Sequence, residues 1–136
     1  MEKISSLVLI ILFLAPAGCS RTNIQSGNAI NKEGYYKITA EQAYTMMMEL
    51  NNYILLDVRT PGEYRERRIE GVVLIPSSEL EGRAETELPD KDSVIFVYCQ
   101  TGRRSENAAR LLARKGYTNI YDFGGINNWP YTTVGD

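Results

Sequence analysis

The sequence feature that most constrains the fold is a short apolar run that ends in a cysteine and leads into a helix. Residues 93–98 are mostly β-branched or aromatic, which predicts a buried strand, and residues 106–115 predict a helix with Gly116 as its C-terminal cap. Cys99 therefore stands at the carboxyl end of a core strand, in a tight loop before a helix N-terminus. The N–H groups of such a loop converge, and the helix dipole adds positive potential. Because this setting stabilises a thiolate, Cys99 is a candidate nucleophile; the alternative is a small buried apolar residue.

Composition excludes several kinds of chemistry. The 136 residues predict one domain, and 24% charged residues are typical of a globular protein. A net charge of −2 gives no support for nucleic-acid binding. The chain has no histidine, which excludes a Cys–His dyad and removes the commonest general base and zinc ligand. Two cysteines in different contexts predict neither a disulfide framework nor a metal cluster, so we expect no metal and no cofactor.

The first 34 residues are typical of a targeting segment and a linker. Residues 7–14 are apolar but too short to span a bilayer comfortably, and small residues follow. Ala17-Gly18-Cys19 resembles the end of a bacterial lipobox, which implies lipidation of Cys19; cleavage before Gly18 and an uncleaved anchor helix are the alternatives. We expect a signal peptide over 1–18, a flexible tether over 19–34 and the domain over 35–136. The protein is then exported to the cell envelope, with a lipid anchor as its membrane contact; without that anchor it is periplasmic or secreted.

Short apolar strands alternate with helices along the rest of the chain. Strands are predicted over 35–38, 53–58, 72–75 and 119–122, and helices over 39–50, around 63–64 and over 79–88. This alternation favours an α/β fold with a mostly parallel sheet. Ligands of such sheets bind beyond the carboxyl ends of the strands, where Cys99, Asp57 and Arg59 are all expected to lie.

Four pieces in a fixed order resemble the rhodanese family of single-domain sulfurtransferases. They are Asp57-Val58-Arg59 with Glu63-Tyr64, Ile69-Glu70-Gly71, the loop from Cys99 to Ser105, and Gly124-Gly125 with Trp129. The resemblance covers about residues 36–130 and implies a rhodanese-like α/β fold, a five-stranded parallel sheet flanked by helices. It also implies that Cys99 takes a sulfane sulfur from thiosulfate or a persulfide, becomes a persulfide, and passes the sulfur to cyanide or a thiol. No organic cofactor is required.

The residues after Cys99 are assigned to an anion cradle, mainly through their main-chain N–H groups. This cradle consists of Gln100, Thr101, Gly102, Arg103 and Arg104. Gly102 is expected to relieve a strained loop conformation. Arg103 or Arg104 is a candidate contact for the oxyanion of the donor, the alternative being a solvated arginine.

Asp57 and Arg59 are expected to support the loop rather than to react. An ion pair between Arg59 and Glu63 is an alternative role for that arginine. Two departures from the family pattern are visible in the sequence. Arg67-Arg68 stand where the family usually has Gly-His, and the tail over 130–136 lacks the usual Ala-Gly-x-Pro ending.

Two other functions stay open at this point: a phosphatase or arsenate reductase of the same fold, and a non-catalytic sulfur-binding or docking module. Phosphatase-type sites have the spacing Cys-x5-Arg, whereas this chain has Cys-x4-Arg with Ser105 next. The shorter loop predicts a narrower ring of N–H groups, suited to one sulfur atom. An arginine displaced by one residue on a helix also points about 100° away. A module without chemistry does not need the cysteine, so we expect catalysis.

Overall fold

Five strands and four helices alternate along residues 28–136, the part of the chain that the computed structural model describes. The strands are β1 (Tyr36–Lys37), β2 (Ile54–Asp57), β3 (Val73–Leu74), β4 (Val94–Cys99) and β5 (Asn119–Gly125). The helices are α1 (Ala40–Glu49), α2 (Pro61–Glu66), α3 (Leu80–Glu87) and α4 (Arg103–Arg114), and a 3-10 turn (Ile126–Asn128) follows β5. The predicted signal peptide, Cys19 and most of the predicted tether lie outside these residues. No helix within 28–136 has the length and apolar character needed to cross a bilayer.

The five strands form one parallel sheet in the order β1-β5-β4-β2-β3. This confirms the predicted α/β fold with a five-stranded parallel sheet. The central strand β4 is covered on both faces, which is why its residues form a continuous apolar run. Parallel strands end at the same edge of a sheet, so the carboxyl ends of β2, β4 and β5 bring Asp57, Cys99 and Gly125 together.

Two elements differ in length from the prediction, and both differences affect the loop after Cys99. Helix α4 begins at Arg103 rather than at residue 106, because Gly102 has a φ of 113° and turns the chain into the helix as its N-cap. Strand β5 continues to Gly125 rather than ending at residue 122, because Phe123 is buried and Gly125 is the register partner of Cys99. The loop between β4 and α4 is therefore only three residues long, 100–102.

Helix α2 begins with a capping box that holds Glu63 in a defined orientation. The Thr60 hydroxyl accepts the Glu63 N–H, and the Glu63 carboxylate accepts the Thr60 N–H at 2.9 Å. Pro61 occupies the first turn, where its missing N–H costs nothing. This cap satisfies the first N–H groups of a six-residue helix that has no buried residues of its own.

The C-terminal tail returns to the segment that follows α2. Arg68 and Val134 exchange two backbone hydrogen bonds of 2.8 Å each, and the Arg68 guanidinium lies 2.9 Å from the Asp136 carboxylate. The two departures from the family pattern, Arg67-Arg68 and the tail, are therefore in direct contact with each other.

Candidate active site

Cys99 ends β4 with its thiol enclosed by the loop that follows. Its Sγ accepts the Gly102 N–H at 3.0 Å, and the residue is 1% exposed. Because Gly102 is the N-cap of α4, the first N–H groups of that helix and the positive end of its dipole lie on the same side as the sulfur. The structure thus places the predicted nucleophile beside the predicted loop, next to a backbone N–H and a helix N-terminus.

The end of strand β5 packs against the loop, and this close contact requires glycine at position 125. A Cβ added to Gly125 would lie 2.6 Å from the Thr101 Cα and 2.7 Å from the Gln100 carbonyl carbon. The Asn127 N–H also donates to the Gln100 carbonyl at 3.3 Å. The backbone of the loop therefore rests directly on the backbone of β5, which gives the Gly124-Gly125 piece a physical reason.

A buried ion pair supports the loop from the side of β2. The Arg59 guanidinium donates to both Asp57 carboxylate oxygens, with a shortest distance of 2.7 Å, and both residues are buried. Its remaining Nη1 donates to the Gln100 side-chain oxygen at 3.0 Å. The Tyr98 hydroxyl donates to Asp57 at 2.9 Å, and burial together with the Asp57 charge raises the pKa of Tyr98. These contacts put Asp57 and Arg59 where a loop-supporting role requires them.

Glu63 pairs with Arg104 and not with Arg59. Two hydrogen bonds of 2.8 Å join the Arg104 guanidinium to the Glu63 carboxylate. They lower the pKa of Glu63 to about 2. The alternative ion pair between Arg59 and Glu63 is therefore wrong, because Arg59 turns inward to Asp57 and α4 supplies the partner of Glu63.

Arg103 has a different environment from Arg104. It is exposed, and within residues 28–136 no hydrogen bond or carboxylate partner holds its side chain. It lines a cavity of about 560 Å³ between the N-terminal ends of α1 and α4, together with Gly102 and Lys37. Thr101 is also exposed at the top of the loop. Of the two candidate arginines, Arg103 is thus the one whose charge is not neutralised by a described partner.

A second buried carboxylate, that of Asp122, lies beneath the loop and was not predicted from the sequence. The Ser105 hydroxyl donates to Asp122 Oδ1 at 2.7 Å, and the Gly124 N–H donates to the same oxygen at 3.0 Å. Lys37 pairs with the other carboxylate oxygen at 2.7 Å. Asp122 carried the same signal as Asp57, since both are acidic residues at the carboxyl end of a predicted strand. Tyr98 could not be found in this way, because its contact depends on the register of β4 against β2.

Comparisons with known proteins agree with this fold. A family model described as a rhodanese-like domain matches residues 39–131. The thiosulfate sulfurtransferase PspE of Escherichia coli (strain K12) is 37% identical over 73 residues, which cover 54% of this chain and 70% of that protein. The thiosulfate sulfurtransferase GlpE of Actinobacillus succinogenes is 31% identical over 96 residues, covering 70% of this chain and 84% of that protein. A solved structure described as a rhodanese with anions from E. coli has a TM-score of 0.59 and 33% identity, and the match covers 62% of this chain and 100% of that one.

Proposed function

This chain belongs to the rhodanese-like domain family, and from that premise we propose that it is a sulfurtransferase that carries sulfane sulfur on Cys99. The observation that carries the proposal is the position of the Cys99 thiol, 3.0 Å from the Gly102 N–H at the start of α4. The names of PspE and GlpE, both thiosulfate sulfurtransferases, support thiosulfate as a donor. The similar E. coli rhodanese was solved with anions, which supports an anionic substrate.

In the first step, the Cys99 thiolate attacks the outer sulfur of thiosulfate. A sulfur–sulfur bond forms at Cys99, the sulfur–sulfur bond of the donor breaks, and its electron pair leaves on sulfite. The enzyme is left as a persulfide whose outer sulfur carries the negative charge. Because one sulfur–sulfur bond replaces another, no external oxidant or reductant is consumed. The Gly102 N–H and the adjacent end of α4 stabilise that charge, because they are already oriented toward it before reaction.

In the second step, the acceptor attacks the outer sulfur of the persulfide. With cyanide the product is thiocyanate, and with a thiolate it is the persulfide of the acceptor. In both cases the sulfur–sulfur bond breaks toward Cys99, which returns as a thiolate. The two half-reactions therefore share one covalent intermediate.

The surroundings of the loop favour sulfur transfer over phosphate or arsenate chemistry. Arg104 is directed to Glu63 by two hydrogen bonds and is not free to clamp the oxygens of a tetrahedral anion. Ser105 is buried against the Asp122 carboxylate, so a guanidinium does not enter the loop from that position either. Because Cys99 is 1% exposed, a small terminal atom such as a sulfane sulfur has the easier approach.

The test is persulfide formation on the purified full-length chain, followed by mass spectrometry. Thiosulfate is expected to add one sulfur atom to the wild type, and cyanide to remove it. Cys99→Ser is expected to keep the wild-type circular dichroism spectrum, gain no sulfur, and lose more than about a hundredfold in turnover. Cys19→Ser, which changes the other cysteine, serves as the matched control and keeps the activity.

Two other outcomes would contradict the proposal, each in favour of a different function. Efficient hydrolysis of a chromogenic phosphate ester, or reduction of arsenate with a thiol, without a persulfide on Cys99 would favour the phosphatase or arsenate reductase. A wild-type chain that gains no sulfur and turns over none of these substrates would favour the docking module.

We also propose that the mature chain is exported and held at a membrane of the bacterial envelope by a lipid on Cys19. Support comes from the sequence alone: small residues precede Cys19 after the apolar run over 7–14, and a polar segment separates it from the domain. This arrangement leaves the domain over 35–136 free of the membrane surface, so it does not alter the chemistry assigned to Cys99.

A further inference from the structure

The Arg67 side chain lies at the edge of the sheet where Cys99 is located. Its Nη2 donates to the Ile126 carbonyl at 3.1 Å. Arg67 follows α2, which begins after β2, whereas Ile126 follows β5. Strand β4 lies between β2 and β5 in the sheet. The hydrogen bond from Arg67 to Ile126 therefore spans the carboxyl end of β4, where Cys99 and its loop are located.

A second set of contacts places the backbone of Arg67 next to the same loop. The Arg67 carbonyl accepts an Arg59 Nη2–H at 2.5 Å, and the other Nη of Arg59 donates to the Gln100 side chain at 3.0 Å. Gln100 directly follows Cys99. One guanidinium, that of Arg59, thus bridges the main chain of Arg67 and the loop.

The charge of Arg67 is not neutralised by a described residue. Arg59 and Arg104, the other arginines beside the loop on this side, are paired with Asp57 and Glu63. Within residues 28–136, Arg67 has no carboxylate within ion-pair distance, and the neutral Ile126 carbonyl is its side-chain partner. The residue is exposed. Since a guanidinium carries five N–H donors, Arg67 can keep this bond and still donate to an anion.

The main chain of Arg67 is held firmly while its side chain stays accessible. Its N–H donates to the Glu63 carbonyl at 3.1 Å as the C-cap of α2. The next residue, Arg68, is bound on both sides by Val134 of the tail. A positively charged side chain on a fixed main chain therefore lies at the edge of the sheet that carries Cys99.

From this geometry we infer that Arg67 binds the oxyanion end of the sulfur donor and so selects donors of the thiosulfate type over organic persulfides, which have no sulfonate oxygens. The inference rests on the proposed function, because it names the donor class of the same site. As Cys99 attacks the outer sulfur, the negatively charged oxygens on the other sulfur face outward, toward the Arg67 guanidinium. Binding them holds the donor in line for attack and stabilises the departing sulfite.

Separate kinetics of the two half-reactions test this role. Arg67→Gln retains a side chain that can donate to Ile126 but has no charge. We expect its kcat/KM for thiosulfate to fall about tenfold, because a charge-assisted hydrogen bond is lost. Its kcat/KM for cyanide is expected to stay within about twofold, since sulfite has left by then. With benzenethiosulfonate, in which a phenyl group replaces one charged oxygen, we expect a smaller loss.

Two further variants keep the test decisive. Arg65→Gln makes the same change of charge on α2, at an exposed residue whose side chain has no described partner, and is expected to keep both kcat/KM values. Arg67→Lys restores a charge without the planar fork and is expected to recover part of the loss. If the melting temperature of Arg67→Gln is more than about 3 °C below that of the wild type, Arg67→Lys is compared with the wild type in its place.

Three results would overturn the inference. They are an unchanged kcat/KM for thiosulfate in Arg67→Gln, an equal loss in Arg65→Gln, and an equal loss in the cyanide half-reaction. The first leaves Arg67 without a role, the second reduces the effect to overall charge, and the third indicates a structural role in the loop. Failure of the proposed function looks different, because the wild type itself would then form no persulfide on Cys99.

Discussion

At the scale of single residues, the loop after Cys99 depends on a position that has no side chain. Gly125 has an ordinary extended backbone, with a φ of −108°, so its conformation alone would tolerate any residue. A side chain is excluded at Gly125 because main-chain atoms of Thr101 and Gln100 occupy the space that a Cβ would need. Gly82, on the exposed side of α3, has no atom within 4 Å of an added Cβ.

Replacing these two glycines by alanine should have opposite effects. Gly125→Ala is expected to lower the free energy of unfolding by about 1–3 kcal/mol and to reduce sulfur transfer at least tenfold, because the loop must shift to admit the methyl group. Gly82→Ala should raise the free energy of unfolding by about 0.4–1 kcal/mol without changing activity. Urea unfolding and thiosulfate–cyanide turnover measure both effects. A fully active, fully stable Gly125→Ala would show that the loop does not need this close approach.

At the scale of elements, α2 and α4 are joined across the site by Glu63 and Arg104. Glu63 is oriented by the capping box of α2, and Arg104 lies in the first turn of α4. The two side chains are about 28% and 34% exposed, so water screens their attraction in part. The pair therefore serves mainly to set the position of α2 relative to the loop.

This ion pair predicts a pH-dependent contribution to stability. The pKa of Glu63 is about 2 in the folded chain against an ordinary value of 4.5. Its stabilising contribution is therefore complete above about pH 4.5 and is lost as the pH falls toward 2. At pH 7, Glu63→Gln should lower the free energy of unfolding by about 1 kcal/mol, since the amide oxygen can still cap α2. The difference from wild type should shrink between pH 4.5 and 2.

The control for this titration is Glu70→Gln, which removes an exposed carboxylate that has no ion-pair partner within residues 28–136. It should show almost no difference from wild type at either pH. A Glu63→Gln difference that stays constant from pH 7 to pH 2.5 would mean that the Arg104 pair adds nothing to stability.

At the scale of the whole molecule, the carboxyl edge of the sheet gathers groups that are far apart in the chain. Strands β2, β4 and β5 contribute Asp57, Cys99 and Asp122, and the tail contributes Val134 through its bond to Arg68. Because the described domain holds all of these, the proposed export leaves them intact. The proposed membrane attachment therefore involves only residues that precede the domain, and we expect it to be separate from the site.

Replacing the proposed lipidation site tests that separation. Cys19→Ala is expected to move the protein from the membrane fraction to the soluble envelope fraction, because the lipid provides the proposed anchor. Sulfur transfer per molecule should be unchanged. Cell fractionation followed by the thiosulfate assay measures both. If processing and fractionation are the same as in wild type, cleavage before Gly18 becomes the better account.

Features that depend on neighbours along the chain could be predicted from the amino-acid sequence. The apolar run before Cys99 predicted the central strand, the alternation of strands and helices predicted the parallel sheet, and the helix predicted over 39–50 corresponds to α1. These patterns are local because a strand or a helix cap involves residues only a few positions apart. The glycine after Cys99 also pointed correctly to an unusual turn, since Gly102 has a positive φ.

The tertiary structure alone decided which side chains meet. Glu63 could have paired with Arg59, four residues before it, but it pairs with Arg104, 41 residues after it. Ser105 reaches Asp122 and Arg67 reaches Ile126 for the same reason. Strand order and register bring these residues to one edge, and neither is visible in local periodicity, because both follow from how the whole sheet is assembled. Some of the residues around Cys99 could therefore be predicted from the sequence, whereas the hydrogen-bond and ion-pair partners of their side chains could not.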